Sequence, residues 1–275
     1  MGLFKRKDRV EHITAVLKQD EHLYDEYSAR SMKKWARDFN KIFKDMKKNG
    51  TPEELKGYLA YRHTLDCWKY DLKDMEETIF NTKEMGMDLP DDRSLPPRIG
   101  ELTNLESLNV LGRALKIPDE FKNLQNLKTL LLAYEGDFPE IICELQQLEE
   151  LQMTSSQFKS NPLNIGNLIN LKYLQFNNVD FTEFPPSITD LIYLNDLGLD
   201  GNDIVEIPPA IEKMKNLQRL SLNRNPLFKV AKEISEIKTL KFLGLKQTPL
   251  SEEMKDQLKK WLPKTQIRFE FIYDD

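Results

Sequence analysis

Cysteine is scarce in this 275-residue chain: only Cys67 and Cys143 occur, in unrelated segments. A disulfide framework needs more cysteines at patterned spacing, so a reduced, cytoplasmic setting is expected. Histidine is scarcer relative to its uses, with His12, His22 and His63 all near the start. A Ser–His–Asp or Cys–His site further along would have to borrow one of them. The eleven glycines are thinly spread, and no GxxxxGK[ST] or GxGxxG run is present, which excludes a phosphate-cradling loop of either kind. No apolar run approaches the roughly 18 residues that span a bilayer. The stretch from Ile13 to Leu17, behind a basic start, is shorter than the about 7–15 residues of a secretory apolar region.

Basic charge is also not in excess. Lys and Arg number 40 against 45 Asp and Glu, a net of −5, so nothing draws the chain to nucleic acid. Residues 1–90 hold 18 basic and 17 acidic side chains, and the remainder holds 22 and 28, so the acidity sits in the later part. Of the candidates for chemistry, His63 and Cys67 share a helical face with Asp66 nearby, yet no second pair at metal-ligand spacing follows. The acid pairs Glu149-Glu150 and Asp274-Asp275 read as solvated surface rather than general acid and base. Lys5, Arg6, Lys7 and Arg9 could touch an anionic membrane, but Arg6 stands where a myristoylation signal has Ser or Thr. No catalytic residue, metal or cofactor is expected.

What the chain does have is a repeat. Leu102, Leu105, Leu108 and Val110 place apolar residues at positions 1, 4, 7 and 9 of a frame. The frame recurs from Leu124, Leu145, Leu168, Leu191, Met214 and Ile237, at intervals of 22, 21, 23, 23, 23 and 23 residues. Seven units in near-constant phase define a repeat architecture. Late in each unit an apolar residue or Asn precedes proline: Leu95-Pro96, Ile117-Pro118, Phe138-Pro139, Asn161-Pro162, Phe184-Pro185 and Ile207-Pro208. Another apolar residue comes three later, from Ile99 to Ile211; Val230-Ala231 replaces the step in the sixth unit, with Ile234 still in phase.

Positions 7 and 9 point to one side of a strand, into a core, while 6, 8 and 10 face solvent. Proline fixes φ and lacks an N–H, so it suits the irregular side of the unit rather than a ladder. Single units cannot bury their apolar side alone, and stacking buries it between neighbours. The run from Leu191 to Ile211, LxxLxxLxLxxNxIxxIPxxI, resembles the leucine-rich-repeat family in its short 23-residue form with a proline step. That form is shared by Ras-associated repeat proteins of plants and animals and by bacterial cytoplasmic repeat proteins. The resemblance covers residues 94–275 and implies an α/β leucine-rich-repeat solenoid, a horseshoe whose strands line one surface, usually concave. Its turn asparagine at position 12 is present only as Asn202 and Asn225; Arg113, Glu135, Ser156, Val179 and Thr248 stand elsewhere.

Both ends depart from the frame. Ser251-Glu252-Glu253 reads as an N-cap with an acidic first turn, and Met254, Leu258, Trp261 and Leu262 keep helical spacing up to Pro263. Ile267, Phe269 and Phe271 then alternate as a strand, so residues 251–275 form a helix–strand cap with Trp261 in its core. Residues 1–90 carry Thr51-Pro52-Glu53-Glu54, a capping box behind Asn49-Gly50, between two helically spaced apolar runs. A helical hairpin follows, serving as an N-terminal cap or as a separate docking bundle. Gly86 to Pro97 reads as a linker, leaving 91–250 for about seven repeats.

The expected function is protein–protein interaction on the concave strand face, without catalysis. Leu111, Leu131 and Ala133 with neighbouring Tyr134 make an apolar patch, unless the N-terminal helices cover it. Tyr173 with Gln152, Gln175 and Asn177 makes an aromatic and amide centre. Asp196 and Asp200 are followed by Arg219, Asn223, Arg224 and Lys246. The charged end admits a plainer reading, as solvated salt bridges between adjacent strands such as Asp196 with Arg219. The expected partner is a protein or peptide, with no nucleic acid, no membrane and a monomeric chain. The alternatives are an adaptor acting through its N-terminal helices at a membrane or on a small GTPase, and an enzyme with its site in those helices.

Overall fold

The computed structural model describes residues 81–88, 95, 97–114, 116–134, 136–154, 158 and 161–270, all within the larger of two compact units. The helical hairpin read between residues 1 and 80 lies outside the described residues, as do His12, His22, His63 and Cys67.

Each repeat places one short strand beside the last. In chain order the strands are β1 (Glu84–Asp88), β2 (Ser107–Ala114), β3 (Thr129–Tyr134), β4 (Glu150–Thr154), β5 (Tyr173–Asn177), β6 (Asp196–Gly198), β7 (Glu206–Ile207), β8 (Arg219–Ser221), β9 (Lys229–Val230), β10 (Phe242–Gly244) and β11 (Gln266–Arg268). Nine of them form one parallel sheet in the order β1-β2-β3-β4-β5-β6-β8-β10-β11. Register follows the frame: Leu130 faces Leu151, Leu151 faces Leu174, and Leu197 faces Leu220. Frame positions 1, 4, 7 and 9 are buried in all seven units.

The apolar residue after each proline step lies in a 3-10 helix, from Pro97–Glu101 to Lys232–Glu236. Its carbonyl accepts the N–H of position 1, as Phe121 does from Leu124 and Ile211 from Met214. Position 1 in turn accepts from position 4, as Leu124 does from Leu127. The leucine spacing is therefore also a hydrogen-bond spacing, which fixes how the chain enters each strand. The departure at Val230-Ala231 has a use. Ala231 donates its N–H to the carbonyl of Ile207 at 3.0 Å, a bond proline could not make, and β7 pairs with β9 at that step.

Two boundaries differ from the sequence reading. Gly86 to Asp88, expected in a linker, belong to β1, which pairs with β2 so that Met85 faces Leu108 and Met87 faces Val110. An eighth unit thus precedes the seven. Its proline step, Leu95-Pro96, was visible, but methionines replace leucines at positions 7 and 9 and Thr82 occupies position 4. At the other end the helix α1 spans Glu252–Trp261, with Ser251 accepting from the Met254 N–H, and β11 pairs with β10. Leu258 and Leu262 are buried there, whereas Trp261, expected in the core, is only half-buried. Trp261 is the last residue of the helix, so it sits at the edge of the shared apolar face and Leu258 takes the inner place.

The asparagine ladder is short and has substitutes. Asn202 donates to the carbonyls of Phe176 and Leu199 and accepts from the N–H groups of Val179 and Phe181. Asn225 repeats the pattern one unit on, with Leu199, Leu222 and Ile204. Thr248 satisfies only the carbonyl of its own unit, Leu245. Toward the N-terminal side, Phe138, Phe158, Phe176 and Phe181 fill the same zone as a ring cluster with centroids 5.6–5.9 Å apart. A second ladder runs along the outer turns at position 3: Asn126, Asn170 and Asn216 each donate to a carbonyl of the preceding unit, at Thr103, Gln146 and Ile192.

Candidate functional site

The side of the sheet that faces away from the core presents positions 6, 8 and 10, as the alternating burial of β3 and β5 shows. Of the residues expected to meet a partner, Leu131, Tyr134, Gln152, Tyr173, Gln175, Asn177, Asp196, Asp200, Asn223 and Lys246 are half-buried and Arg219 is exposed. Leu111 has its backbone in β2, and its side chain lies outside the description. One expected neighbourhood is changed: after Val110 the register slips, so that Arg113 rather than Leu111 faces Ala133, and Ala114 faces Tyr134. The two extra residues, Leu111 and Gly112, form a bulge, which re-aims side chains and ends the simple alternation. A continuous apolar row of Leu111 with Ala133 is therefore not formed, although Leu131 keeps its place opposite Asn109 and Gln152.

The polar centre divides into two kinds of residue. At position 10 side chains fill a step of the inter-unit ladder, which the backbone resumes one residue on, as Gly201 donates to Asn223 and Arg224 to Lys246. Asn177 accepts from the Asp200 N–H, Asp200 from the Asn223 N–H, and Asn223 from the Lys246 N–H, each at 2.8 Å. Asp200 also accepts from Ser221 and from the Asn223 amide, at 2.6 and 3.0 Å. Asn177, Asp200 and Asn223, expected as partner contacts, thus have their main hydrogen bonds inside the repeat. β6, β8 and β10 are only three residues long, so a side chain takes over the next backbone donor.

Positions 6 and 8 stay available on the face. Gln175 donates to Asp196 at 3.1 Å and accepts from Asn177 at 2.9 Å, lying over Gly198, whose added Cβ would fall 1.9 Å from the Gln175 oxygen. Arg219 reaches Asp196 at 3.4 Å, the bridge read from the sequence. Burial raises the Asp196 carboxyl above its ordinary range, while Arg219 and Gln175 pull it back. Burial also raises the Tyr173 hydroxyl, helped by Asp196 and Glu150, so Tyr173 is a neutral donor at pH 7. Two residues that the site assignment left out belong here: Phe242, with the Arg219 guanidinium 4.3 Å from its ring centroid, and Arg268, 5.8 Å from it. Arg268 had a signal, because the alternation of Ile267 and Phe269 puts it on the outer face.

Along the rim at position 5, Glu106 is bound by Lys83 and Lys128, both at 2.7 Å. Hydrogen bonds from Lys128 and then Lys83 lower the Glu106 carboxyl to about 2. A depressed folded-state value means the pairs help above the ordinary carboxylate range and are lost as pH falls towards 2. A carboxyl NMR titration at low salt should place the Glu106 midpoint near that value, and Lys128→Met should move it upward. A midpoint in the ordinary range in the unsubstituted protein would show the pairs to be unoccupied in solution. Cys143, buried beside Glu140, has its thiol pushed far above the ordinary range, chiefly by burial, and is no nucleophile.

Residues 155–262 match a family model described as a leucine-rich repeat region. No curated protein matches the chain. A leucine-rich-repeat protein of Leptospira interrogans is 33% identical, with a TM-score of 0.59, over 67% of this chain and 54% of its own. The ectodomain of the Arabidopsis thaliana membrane receptor kinase GASSHO1/SCHENGEN3, solved with CASPARIAN STRIP INTEGRITY FACTOR 2, is 27% identical with a TM-score of 0.54. That match covers 68% of this chain and 24% of the ectodomain. The Arabidopsis receptor kinase HAESA, solved with the peptide hormone IDA and co-receptor SERK1, shares the fold at 24% identity and a TM-score of 0.53, over 64% of this chain and 32% of its own. The chain therefore spans about half the length of the first of these relatives and less of the others.

Proposed function

Because this chain belongs to the leucine-rich-repeat family, we propose that it is a binding scaffold that holds a protein or peptide partner on the outer face of its sheet and performs no catalysis. The observation that carries this reading is the division of labour on that face. Asn177, Asp200 and Asn223 at position 10 are committed to internal hydrogen bonds, while Leu131 and Gln152 at position 8 and Tyr173 and Arg219 at position 6 stand on the face without forming the core. Aromatic, aliphatic and guanidinium groups on a rigid support are the residue types that dominate protein interfaces. The Arabidopsis ectodomain solved in complex with CASPARIAN STRIP INTEGRITY FACTOR 2 supports the same use of such a scaffold. A cytoplasmic, monomeric protein that engages neither membrane nor nucleic acid is part of this reading; the buried free thiol of Cys143 and the net acidic charge support it.

The test is a pull-down from native cytosol with the wild type and a Leu131→Glu, Tyr173→Ala double variant whose circular dichroism is unchanged. Both substitutions replace half-exposed side chains, so a fold-preserving loss is expected. A partner retained by the wild type and lost by the variant supports the face. The same proteins recovered with both, or none with either, rejects it.

A further inference from the structure

The two arginines at the C-terminal end of the strand face are unequally served. Arg219 has Asp196 at 3.4 Å, through one nitrogen of its guanidinium. Arg268 has no side-chain hydrogen bond or ion pair among the described residues, and its Nε is closed off from solvent with no acceptor. Both guanidinium groups lie within 6 Å of the Phe242 ring centroid, at 4.3 and 5.8 Å. Two like charges are thus gathered on one ring, which attracts each through its π face but neutralises neither. The acids beside them are already used. Asp196 also accepts from Gln175, and Asp200 is saturated by Ser221 and Asn223.

We propose that Arg219, Phe242 and Arg268 form a clamp for an acidic side chain of a polypeptide partner, with the carboxylate between the guanidinium groups and its methylenes on the Phe242 ring. A planar guanidinium matches a carboxylate with paired N–H donors, and a ring beneath it restricts its rotamers in advance. The strands on either side supply the direction. β10 and β11 place Phe242 opposite Gln266 and Gly244 opposite Arg268, so Arg268 reaches Phe242 along the diagonal between the two strands, while Ser221 and Asn223 close over Gly244 on its other side. A phosphate backbone would offer the same charge, and residues 213–270 hold 14 Lys and Arg against 6 Asp and Glu. Two guanidinium groups gathered on one ring nevertheless make a point site that fits a single carboxylate, and the oligonucleotide is a probe in the test for that reason.

This clamp rests on the scaffold reading and is tested separately from it. Fluorescence anisotropy is measured with three probes: a short labelled Glu/Leu peptide with an amidated C-terminus, its Gln/Leu counterpart, and a single-stranded oligonucleotide. The Glu peptide is expected to bind about tenfold or more tighter than the Gln peptide, a preference that raised salt weakens. Arg268→Gln should erase most of that preference, and Arg268→Lys should restore only part, because the fork is lost while the charge remains. Arg219→Gln provides a second route to the same loss, with circular dichroism confirming the fold of each variant. Equal binding of both peptides, no binding of the Glu peptide, a preference that survives both Gln variants, or tighter binding of the oligonucleotide overturns the clamp. Equal peptide binding that Tyr173→Ala abolishes leaves the scaffold reading standing and removes the clamp alone.

Discussion

Phe176→Ala is expected to cost about 3–5 kcal/mol, the range for truncating a fully buried phenylalanine. The ring is completely buried and meets Phe138, Phe158 and Phe181 at 5.8, 5.9 and 5.6 Å, mostly edge to face. Edge-to-face pairs add about 0.5–1.5 kcal/mol each beyond the area they bury. Phe181 belongs to the same unit as Phe176, but Phe158 belongs to the preceding unit and Phe138 to the one before it, so loss of those two pairs weakens an interface as well as a unit. In a stacked array, where each repeat is held by its neighbours, that interface is where unfolding can divide. Urea unfolding followed by circular dichroism should show a lower first midpoint in the variant and a second, less affected transition. Phe176→Leu keeps most of the burial and should cost about a third as much or less. A loss below about 1 kcal/mol for alanine would mean that the four rings do not act as one packed group.

The second large effect concerns Asn202, which is 4% exposed and makes five hydrogen bonds to backbone groups of two units, one of them long at 3.5 Å. Asn202→Ala leaves the N–H groups of Val179 and Phe181 and the carbonyl of Phe176 without that partner, while the Leu199 carbonyl keeps its bond from Asn225. Each buried group left unpaired costs about 1–3 kcal/mol, so a total near 3 kcal/mol is expected after some relaxation and water entry. Asn202→Asp separates the two halves of the role. The carboxylate could still accept from Val179 and Phe181, but it would face the carbonyls of Phe176 and Leu199, which require a donor. Burial and those carbonyls should raise its pKa in the folded state. A raised carboxyl pKa stabilises at low pH and loses that stability as pH rises past the unfolded value of about 3.9. The Asp variant should therefore melt lower at pH 7 than at pH 4, while the Ala variant changes no more than the wild type. Equal pH dependence in both variants would sink this account of the amide.

How much of this could be read beforehand depends on what kind of pattern carried it. The apolar frame is periodic, and periodicity survives without knowing the neighbours. The four frame positions, the Ser251 cap and the Asp196–Arg219 pair were legible for that reason. β1 was not, because Met85, Met87 and Thr82 break the leucine signature while obeying its geometry. The hydrogen-bond rows at positions 3 and 10 were not legible either. Asn177, Asp200 and Asn223 looked like outward polar residues, and only the stacking shows that each one's oxygen meets a backbone N–H one unit on. The bulge at Leu111 and Gly112 belongs to the same class, since a two-residue slip in register leaves the flanking leucines in phase. Candidate contacts read by alternation alone thus mixed residues that serve the fold with residues that remain on offer.

The rim charges carry a consequence for how such a chain can be rearranged. At position 5 the order is Lys83, Glu106, Lys128, Glu149, Lys172, with ion pairs at 2.7 Å from Glu106 to both lysines beside it and from Glu149 to Lys172. Signs alternate from one unit to the next, so the units are not interchangeable bricks. Excising the one that bears Lys128 would set Glu106 against Glu149, and copying it in tandem would set lysine against lysine. Shuffling in this half of the array conserves the pairing only when units move two at a time. Past Lys172, where Asn195 and Gln218 are neutral, a single unit could be gained or lost without that penalty. In that half the constraint on editing passes from the rim to the turn, where Asn202 and Asn225 each bond a carbonyl of the unit before, and to pairs such as Asp196 with Arg219.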